Sequence, residues 1–198
     1  EYENKTADIE FTFDEEQQMD SLTINAHYST AEILKKAGLN TVFLQFDGVS
    51  DDVYRTLRGQ DMMEVKKKAV RNCSEAELGI ALVPVIAPGV NDMQAGDILK
   101  FALDHMPFVR GVHFQPISYF GRCSQERPQN PITIPRMLKL IEEQTEGLMK
   151  AEDFAGGGAE NPYCSFHASY LRKGERKLKL LEKKSGKGCC KACGVGTP

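Results

Sequence analysis

The sequence VFLQFDGVSDDVYRTLRG, residues 42–59, joins an apolar, strand-like run to a helix-like run through a short polar turn. Its first part, TVFLQF (41–46), is rich in β-branched and aromatic residues, which is typical of a parallel strand covered on both faces. Gln45 and Asp47 share one face at the end of this strand, and Gly48 allows the chain to turn directly after them. The stretch therefore predicts a parallel α/β fold with polar side chains at a carboxyl strand end.

Similar strand-like runs recur on both sides of this stretch. They are SLTIN (21–25), GIALVPVIA (79–87) and VRGVHFQPI (109–117). Pro84 predicts a bulge or an edge, because proline cannot donate a ladder hydrogen bond. Helical patterns separate the runs, so the predicted fold class is α/β, with parallel βα repeats that form part of a (β/α) barrel or a small doubly wound sheet.

The helical patterns carry their own start and stop signals. Gly38 ends the first helix, whose apolar face we expect to include Ile33 and Leu34. Ser50 caps a segment that is interrupted near Gly59. A later helix begins after Asn91, and a last one spans about Ile134 to Leu148. These signals predict a helix between each pair of strands.

Composition divides the 198-residue chain into three regions. We expect an irregular acidic N-terminal segment (1–20), a partial βα-barrel domain (21–150), and a linker with a basic, Cys-rich extension (151–198). The composition, with 41% hydrophobic residues, is that of a chain that buries a core.

Charge and hydropathy restrict the partners and the location. The net charge of −3 gives no reason to expect nucleic acid as a partner of the whole chain. No apolar run reaches the roughly 18 residues of a membrane span, and the acidic start is unlike a signal peptide. The sequence therefore predicts a cytoplasmic protein, with small molecules rather than nucleic acid as its partners.

Polar residues collect where the predicted strands end. They are Asn25 and His27, Gln45 and Asp47, His113 and Gln115, and Asn91, which closes the third strand together with Gly89 and Val90. Taken singly, Asp47 could form only a turn and Asn91 only a helix cap. Because the carboxyl ends of parallel strands meet at one edge, the set predicts a site for one small polar ligand. A phosphate loop and the G-x-S-x-G and H-E-x-x-H motifs are absent from the sequence, which argues against a self-contained kinase or hydrolase.

Three segments in order resemble one enzyme superfamily. LQFDG followed by VYRTLRG (44–59) resembles the S-L-D-G … R-G segment of radical S-adenosylmethionine enzymes of the molybdenum-cofactor-synthesis type. LVPVIAPGVND (82–92) is similar to their V-V-x-x-G-V-N-D segment, and VRGVHFQPIS (109–118) to the strand that follows. The residues of these segments resemble those of methylase-like members of the superfamily, which are related to the tetraether lipid synthases. The resemblance covers about residues 22–150 and implies a later half of a barrel.

The resemblance also implies roles for single residues. Gln45 stands where the family often has a Ser or Thr near the ribose of S-adenosylmethionine. Asp47 and Arg58 would lie at the same mouth, with Asn91 beside the adenine and Gln115 at the next strand end. Arg58 could bind the methionine carboxylate or Asp47, since its planar fork of donors suits a carboxylate. The alternative is a surface pair of Arg58 with Asp51 or Asp52.

The resemblance has a gap at the metal cluster. The C-x-x-x-C-x-x-C loop that holds the [4Fe-4S] cluster of the family is absent, as is its glycine-glycine-glutamate segment. We therefore expect this chain to be a fragment of a radical S-adenosylmethionine enzyme that is inactive alone, with S-adenosylmethionine and [4Fe-4S] bound in the parent protein. The alternative is a non-catalytic α/β binding module whose basic extension docks an acidic partner or nucleic acid.

The C-terminal extension has cysteine spacings of its own. Cys164 and His167, followed by Cys190 and Cys193, have the local spacing of a zinc site or an auxiliary iron–sulfur cluster. The intervening segment is longer than in most zinc fingers and rich in lysine. Reduced, unliganded cysteines are the alternative interpretation.

Overall fold

The computed structural model describes residues 28–119, 130–156, 165–174 and 177–181. The predicted first strand, the N-terminal segment 1–20, and Cys164, Cys190 and Cys193 lie outside these residues. Five helices are described: α1 (Tyr28–Lys36), α2 (Asp51–Arg58), α3 (Met63–Glu75), α4 (Ala95–Asp104) and α5 (Ile134–Gln144). The strands are β1 (Thr41–Gln45), β2 (Gly79–Val83), β3 (Val85–Ile86), β4 (Val109–Val112), β5 (Gln115–Pro116), β6 (Ala155–Gly156), β7 (Phe166–His167), β8 (Tyr170–Gly174) and β9 (Lys177–Leu180). None of the described helices is long and apolar enough to cross a membrane.

The central sheet is parallel, as the alternation of strands and helices predicts. Its strand order is β1-β2-β4. Thr41 pairs with Gly79 and Gln45 with Val83, so β1 and β2 end at the same level. The fold class is therefore mixed α/β, with parallel strands and helices between them.

Pro84 divides the third predicted strand in two, as its missing N–H suggests. β2 ends before the proline and β3 begins after it, and β3 pairs with β5 in a second parallel ladder. The fourth predicted strand is also divided, into β4 and β5, with His113 and Phe114 between them. The small ladder of β3 and β5 thus lies just beyond the carboxyl ends of β2 and β4.

Two apolar clusters hold the helices on the sheet. The first includes Phe46, Tyr54, Ile80 and Leu82, all fully buried. The second lies around α4 and α5; its buried members are Ile86, Ala95, Leu99, Met137, Ile141 and Met149. Each buried Leu or Ile side chain of this kind contributes about 1.5–3 kcal/mol relative to an exposed one. These contacts fix α4 between the sheet and α5.

The C-terminal strands form antiparallel pairs that the sequence patterns do not predict. β6 pairs with β7 and β8 with β9. Tyr170 and Leu178 pack against the second apolar cluster, and the Tyr170 hydroxyl donates to Asp153. Arg172 donates to the carbonyl of Leu103 at the end of α4. Part of the predicted extension is therefore packed on the α/β layers.

Exposure along α1 and β1 differs from the sequence prediction. Ile33 is 61% exposed, and α1 packs instead through Ala31 and the partly buried Leu34. Phe43 is 70% exposed, so among the described residues β1 is covered on one face and open on the other.

The boundaries of α2 and α3 agree with the predicted interruption. Gly59 has a φ of 76°, a left-handed conformation that favours glycine, and its N–H donates to the Arg55 carbonyl. Ser50 does stand at the start of α2, but its side chain makes no capping bond there. Its hydroxyl accepts a hydrogen bond from Gln94 instead. The predicted cap is thus correct in position and wrong in its contact.

Glycine is needed at position 48 because neighbouring side chains leave no room for a Cβ atom. A Cβ at this position would lie 2.6 Å from Gln94 Oε1 and 3.1 Å from Val53 Cβ. We expect Gly48→Ala to lower the free energy of unfolding by about 1–3 kcal/mol, the usual cost of overpacking. Urea denaturation measures this. Gly111→Ala is the matched control, because the space at that Cβ is open to at least 4 Å; equal effects of the two changes would contradict the explanation.

Candidate functional site

A buried carboxylate lies at the centre of the predicted site. Asp47 is fully buried directly beyond β1. Its Oδ2 accepts hydrogen bonds from Gln45 Nε2 at 3.0 Å and from Arg58 Nε at 2.8 Å. Its Oδ1 accepts from the Val85 N–H at 3.0 Å and from Arg58 Nη2 at 3.3 Å. The carboxylate therefore joins the end of β1, the end of α2 and the start of β3.

Arg58 is the ionic partner of Asp47. The guanidinium bonds to both carboxylate oxygens, a bidentate geometry that is stronger than a single contact. Its side chain is 28% exposed, so one side of it faces outward. The alternative pairing of Arg58 with Asp51 or Asp52 does not occur. Arg55 is the residue that pairs with Asp52.

Asn91 holds the same strand ends through their backbone. It is fully buried, and its Nδ2 donates to the carbonyls of Asp47 at 2.6 Å and Val85 at 2.7 Å. Its Oδ1 accepts from the Ala87 N–H at 2.8 Å. Asn91 also precedes a short 3-10 turn, but its side chain makes no capping bond there. The predicted cap is therefore correct in position and wrong in its contact, because the side-chain amide joins the ends of β1 and β3 instead.

The loop after Asp47 is fixed from two sides. Gln94 Oε1 accepts from the Val49 N–H at 2.9 Å, and its Nε2 donates to Ser50. The hydroxyl of the buried Tyr54 donates to the Gly48 carbonyl at 3.1 Å. Burial raises the pKa of Tyr54, and the charge of Asp47 raises it further, so this hydroxyl stays protonated as a donor.

Gln115 lies one strand away from the Asp47 network. It pairs with Val85 in the ladder of β3 and β5, and its N–H donates to the Pro84 carbonyl at 2.9 Å. The side chains of Gln115 and His113 are exposed. Strand pairing thus brings Gln115 next to Val85, the residue of β3 whose N–H donates to Asp47. Asn25 and His27 lie outside the described residues.

Lys66 is a further charged residue near this network. It is only 8% exposed and lies on the buried face of α3, three residues after Met63 and four before Val70. Burial lowers the pKa of Lys66, Asp47 raises it and Arg58 lowers it. Sequence reasoning missed this lysine, although the spacing of the apolar residues of α3 places it on the inward face.

The described residues provide no site for a metal cluster. They contain no group of three or more Cys, His, Asp or Glu side chains that could hold a metal ion. Cys73 is buried, and burial raises the pKa of its thiol. Of the four residues of the predicted C-terminal metal site, only His167 is described, as an exposed residue of β7. That site stays a prediction.

Parts of this chain are similar in sequence to known enzymes. The chain is 42% identical over 123 residues to a 7,8-dihydro-6-hydroxymethylpterin dimethyltransferase of Methanocaldococcus jannaschii, an alignment that covers 61% of this chain and 24% of that protein. It is 30% identical over 110 residues to a GTP 3',8-cyclase of Listeria welshimeri, with 54% and 33% covered. A GTP 3',8-cyclase of Streptomyces coelicolor is 33% identical over 89 residues, with 44% and 26% covered.

These similarities concern part of each relative. The chain spans about a quarter to a third of the length of these three curated relatives. No protein-family model matches the chain. Together with the three motif segments, the relatives support a relationship between this chain and the radical S-adenosylmethionine superfamily.

Proposed function

We propose that this chain is part of a radical S-adenosylmethionine enzyme and that its strand ends bind the nucleoside part of the cofactor. The observation that carries the proposal is the network around Asp47, in which Gln45, Arg58 and Asn91 converge from three elements. This network occupies the carboxyl ends of parallel strands, where α/β folds bind ligands. The similarity to a dimethyltransferase favours a methyl-transferring parent enzyme.

The network separates residues that hold the site from residues that contact the ligand. Asp47 and Asn91 are fully buried and saturated by protein hydrogen bonds, so they serve as positioning residues. Gln45 is partly buried, and an amide has more donors and acceptors than its one bond to Asp47 uses. Gln45, Arg58 and Gln115 are therefore the proposed contacts to S-adenosylmethionine.

The [4Fe-4S] cluster does not fit the described part of this chain. A cluster of this kind needs cysteine thiolates, and the described residues offer only the buried Cys73. In this proposal the described residues supply cofactor contacts, and the cluster ligands come from outside them. The proposal also includes a partial barrel and a cytoplasmic location. It includes a zinc site or an auxiliary iron–sulfur cluster at the C-terminal extension.

Binding of 5′-methylthioadenosine to the full chain tests the nucleoside contacts. We expect isothermal titration calorimetry to detect binding, and Gln45→Ala to weaken it by up to about tenfold, since a lost hydrogen bond costs about 0.5–1.5 kcal/mol. Gln60→Ala is the matched control, because Gln60 is exposed beyond α2. The proposal is wrong if no nucleoside binds, or if both variants bind as the unchanged chain does.

A further inference from the structure

One side chain of α5 contacts the turn between β3 and α4 at two places. Gln144, the last residue of α5, donates from Nε2 to the Asp92 carbonyl at 2.8 Å. Its Oε1 accepts a hydrogen bond from the Gly96 N–H at 3.0 Å. Asp92 begins the short 3-10 turn, and Gly96 lies in the first turn of α4. A single amide therefore holds this turn at both of its ends.

The end of α5 also lies directly against the start of α4. A Cβ built at Gly96 would lie 2.6 Å from the Gln144 carbonyl oxygen and 2.8 Å from Gln144 Cβ. Glycine is therefore the residue that permits this approach of the two helices. Gln144 is partly buried, and both ends of its side-chain amide are bonded within the protein. A displacement of Gln144 would have to break both bonds to the turn.

The same turn carries two residues that hold the strand ends. Asn91 donates to the Asp47 carbonyl, and Gln94 bonds to the loop that follows Asp47. The Asp47 carboxylate in turn accepts from Gln45 and Arg58. Packed elements joined by hydrogen bonds in this way can carry coupling between distant positions. A series of contacts therefore leads from α5, through the turn, to the proposed cofactor contacts.

We propose that Gln144 is a positioning residue of the nucleoside site, which it serves through the turn without contacting the ligand. Gln144 holds the turn, the turn holds the backbone of Asp47, and the carboxylate of Asp47 orients Gln45 and Arg58. The ligand in this inference rests on the proposed function. The coupling between α5 and the strand ends rests on the hydrogen bonds alone.

Replacement of the amide by an apolar side chain of similar length tests the effect on binding. Gln144→Met in the full chain should weaken binding of 5′-methylthioadenosine by about three- to tenfold in isothermal titration calorimetry. Without its hydrogen bonds the turn would hold the binding position only part of the time, and the affinity falls in proportion. Glu143→Met is the matched control, since Glu143 is the exposed neighbour on α5. The inference is overturned if the two variants bind equally well.

Amide hydrogen exchange tests the coupling without a ligand and separates it from a loss of overall stability. In Gln144→Met the N–H groups of Val49 and Ala87, which donate to Gln94 and Asn91, should exchange about three- to tenfold faster. The N–H of Ile80, which donates to Phe108 in the sheet, should keep its rate. An equal acceleration of all three N–H groups would show a general loss of stability and would overturn the inference.

The two measurements also separate this inference from the proposed function. If 5′-methylthioadenosine does not bind to the unchanged chain, the nucleoside proposal is wrong, and the exchange rates alone decide whether α5 is coupled to the strand ends. If the nucleoside binds, faster exchange together with an unchanged affinity of Gln144→Met would show that the turn moves without effect on the site. That result would also contradict a positioning role for Gln144.

Discussion

Asp47→Asn should lower the free energy of unfolding by about 3–5 kcal/mol, the usual cost of removing one partner of a buried ion pair. The fully buried carboxylate accepts four hydrogen bonds, two of them from Arg58. Asparagine has nearly the same shape, but its amide nitrogen donates where the carboxylate accepted. At least one donor among Arg58, Gln45 and the Val85 N–H would then face another donor. Chemical denaturation measures the loss.

Asp52→Asn is the control for this change. Asp52 also pairs with an arginine, but its side chain is 85% exposed. An exposed ion pair contributes about 0–1 kcal/mol, so this variant should stay close to the unchanged chain. A double-mutant cycle of Asp47→Asn with Arg58→Gln should show a coupling above about 1 kcal/mol. A loss below about 1 kcal/mol for Asp47→Asn would show that the network is not a structural centre.

Residue patterns in the sequence predict those parts of the fold that depend on local geometry. Alternation along β1 places Gln45 and Asp47 on one face, and a bond between them confirms it. Pro84 and Gly59 interrupt a strand and a helical segment for reasons of backbone chemistry that hold in any context. The parallel sheet follows from the order of strands and helices.

Contacts between distant elements are harder to predict, because no local pattern records them. Nothing in the sequence distinguishes an Asn91 that caps a helix from one that bonds to the Asp47 carbonyl 44 residues earlier. The hydrogen bond that the Val49 N–H donates to Gln94 spans 45 residues. The strands β8 and β9 depend on packing of Tyr170 and Leu178 against α4 and α5, which becomes visible only in three dimensions.

Asn91→Asp should be strongly destabilising at neutral pH, by about 3 kcal/mol or more. The amide donates to two carbonyls in a fully buried position, and a carboxylate cannot donate to either. The new charge would also lie beside both carbonyl oxygens, away from water. Denaturation at several pH values measures the effect.

The pH dependence of Asn91→Asp tests this mechanism, because a protonated carboxyl recovers one donor. Burial raises the pKa of the introduced group in the folded state above its unfolded value, so the folded state binds the extra proton more tightly. The difference from the unchanged chain should therefore shrink as the pH falls through the folded pKa. Asn40→Asp, at an exposed position before β1, should show neither the loss nor this dependence. A loss of stability that is the same at every pH would indicate altered packing, and the amide would then not be the group that joins β1 to β3.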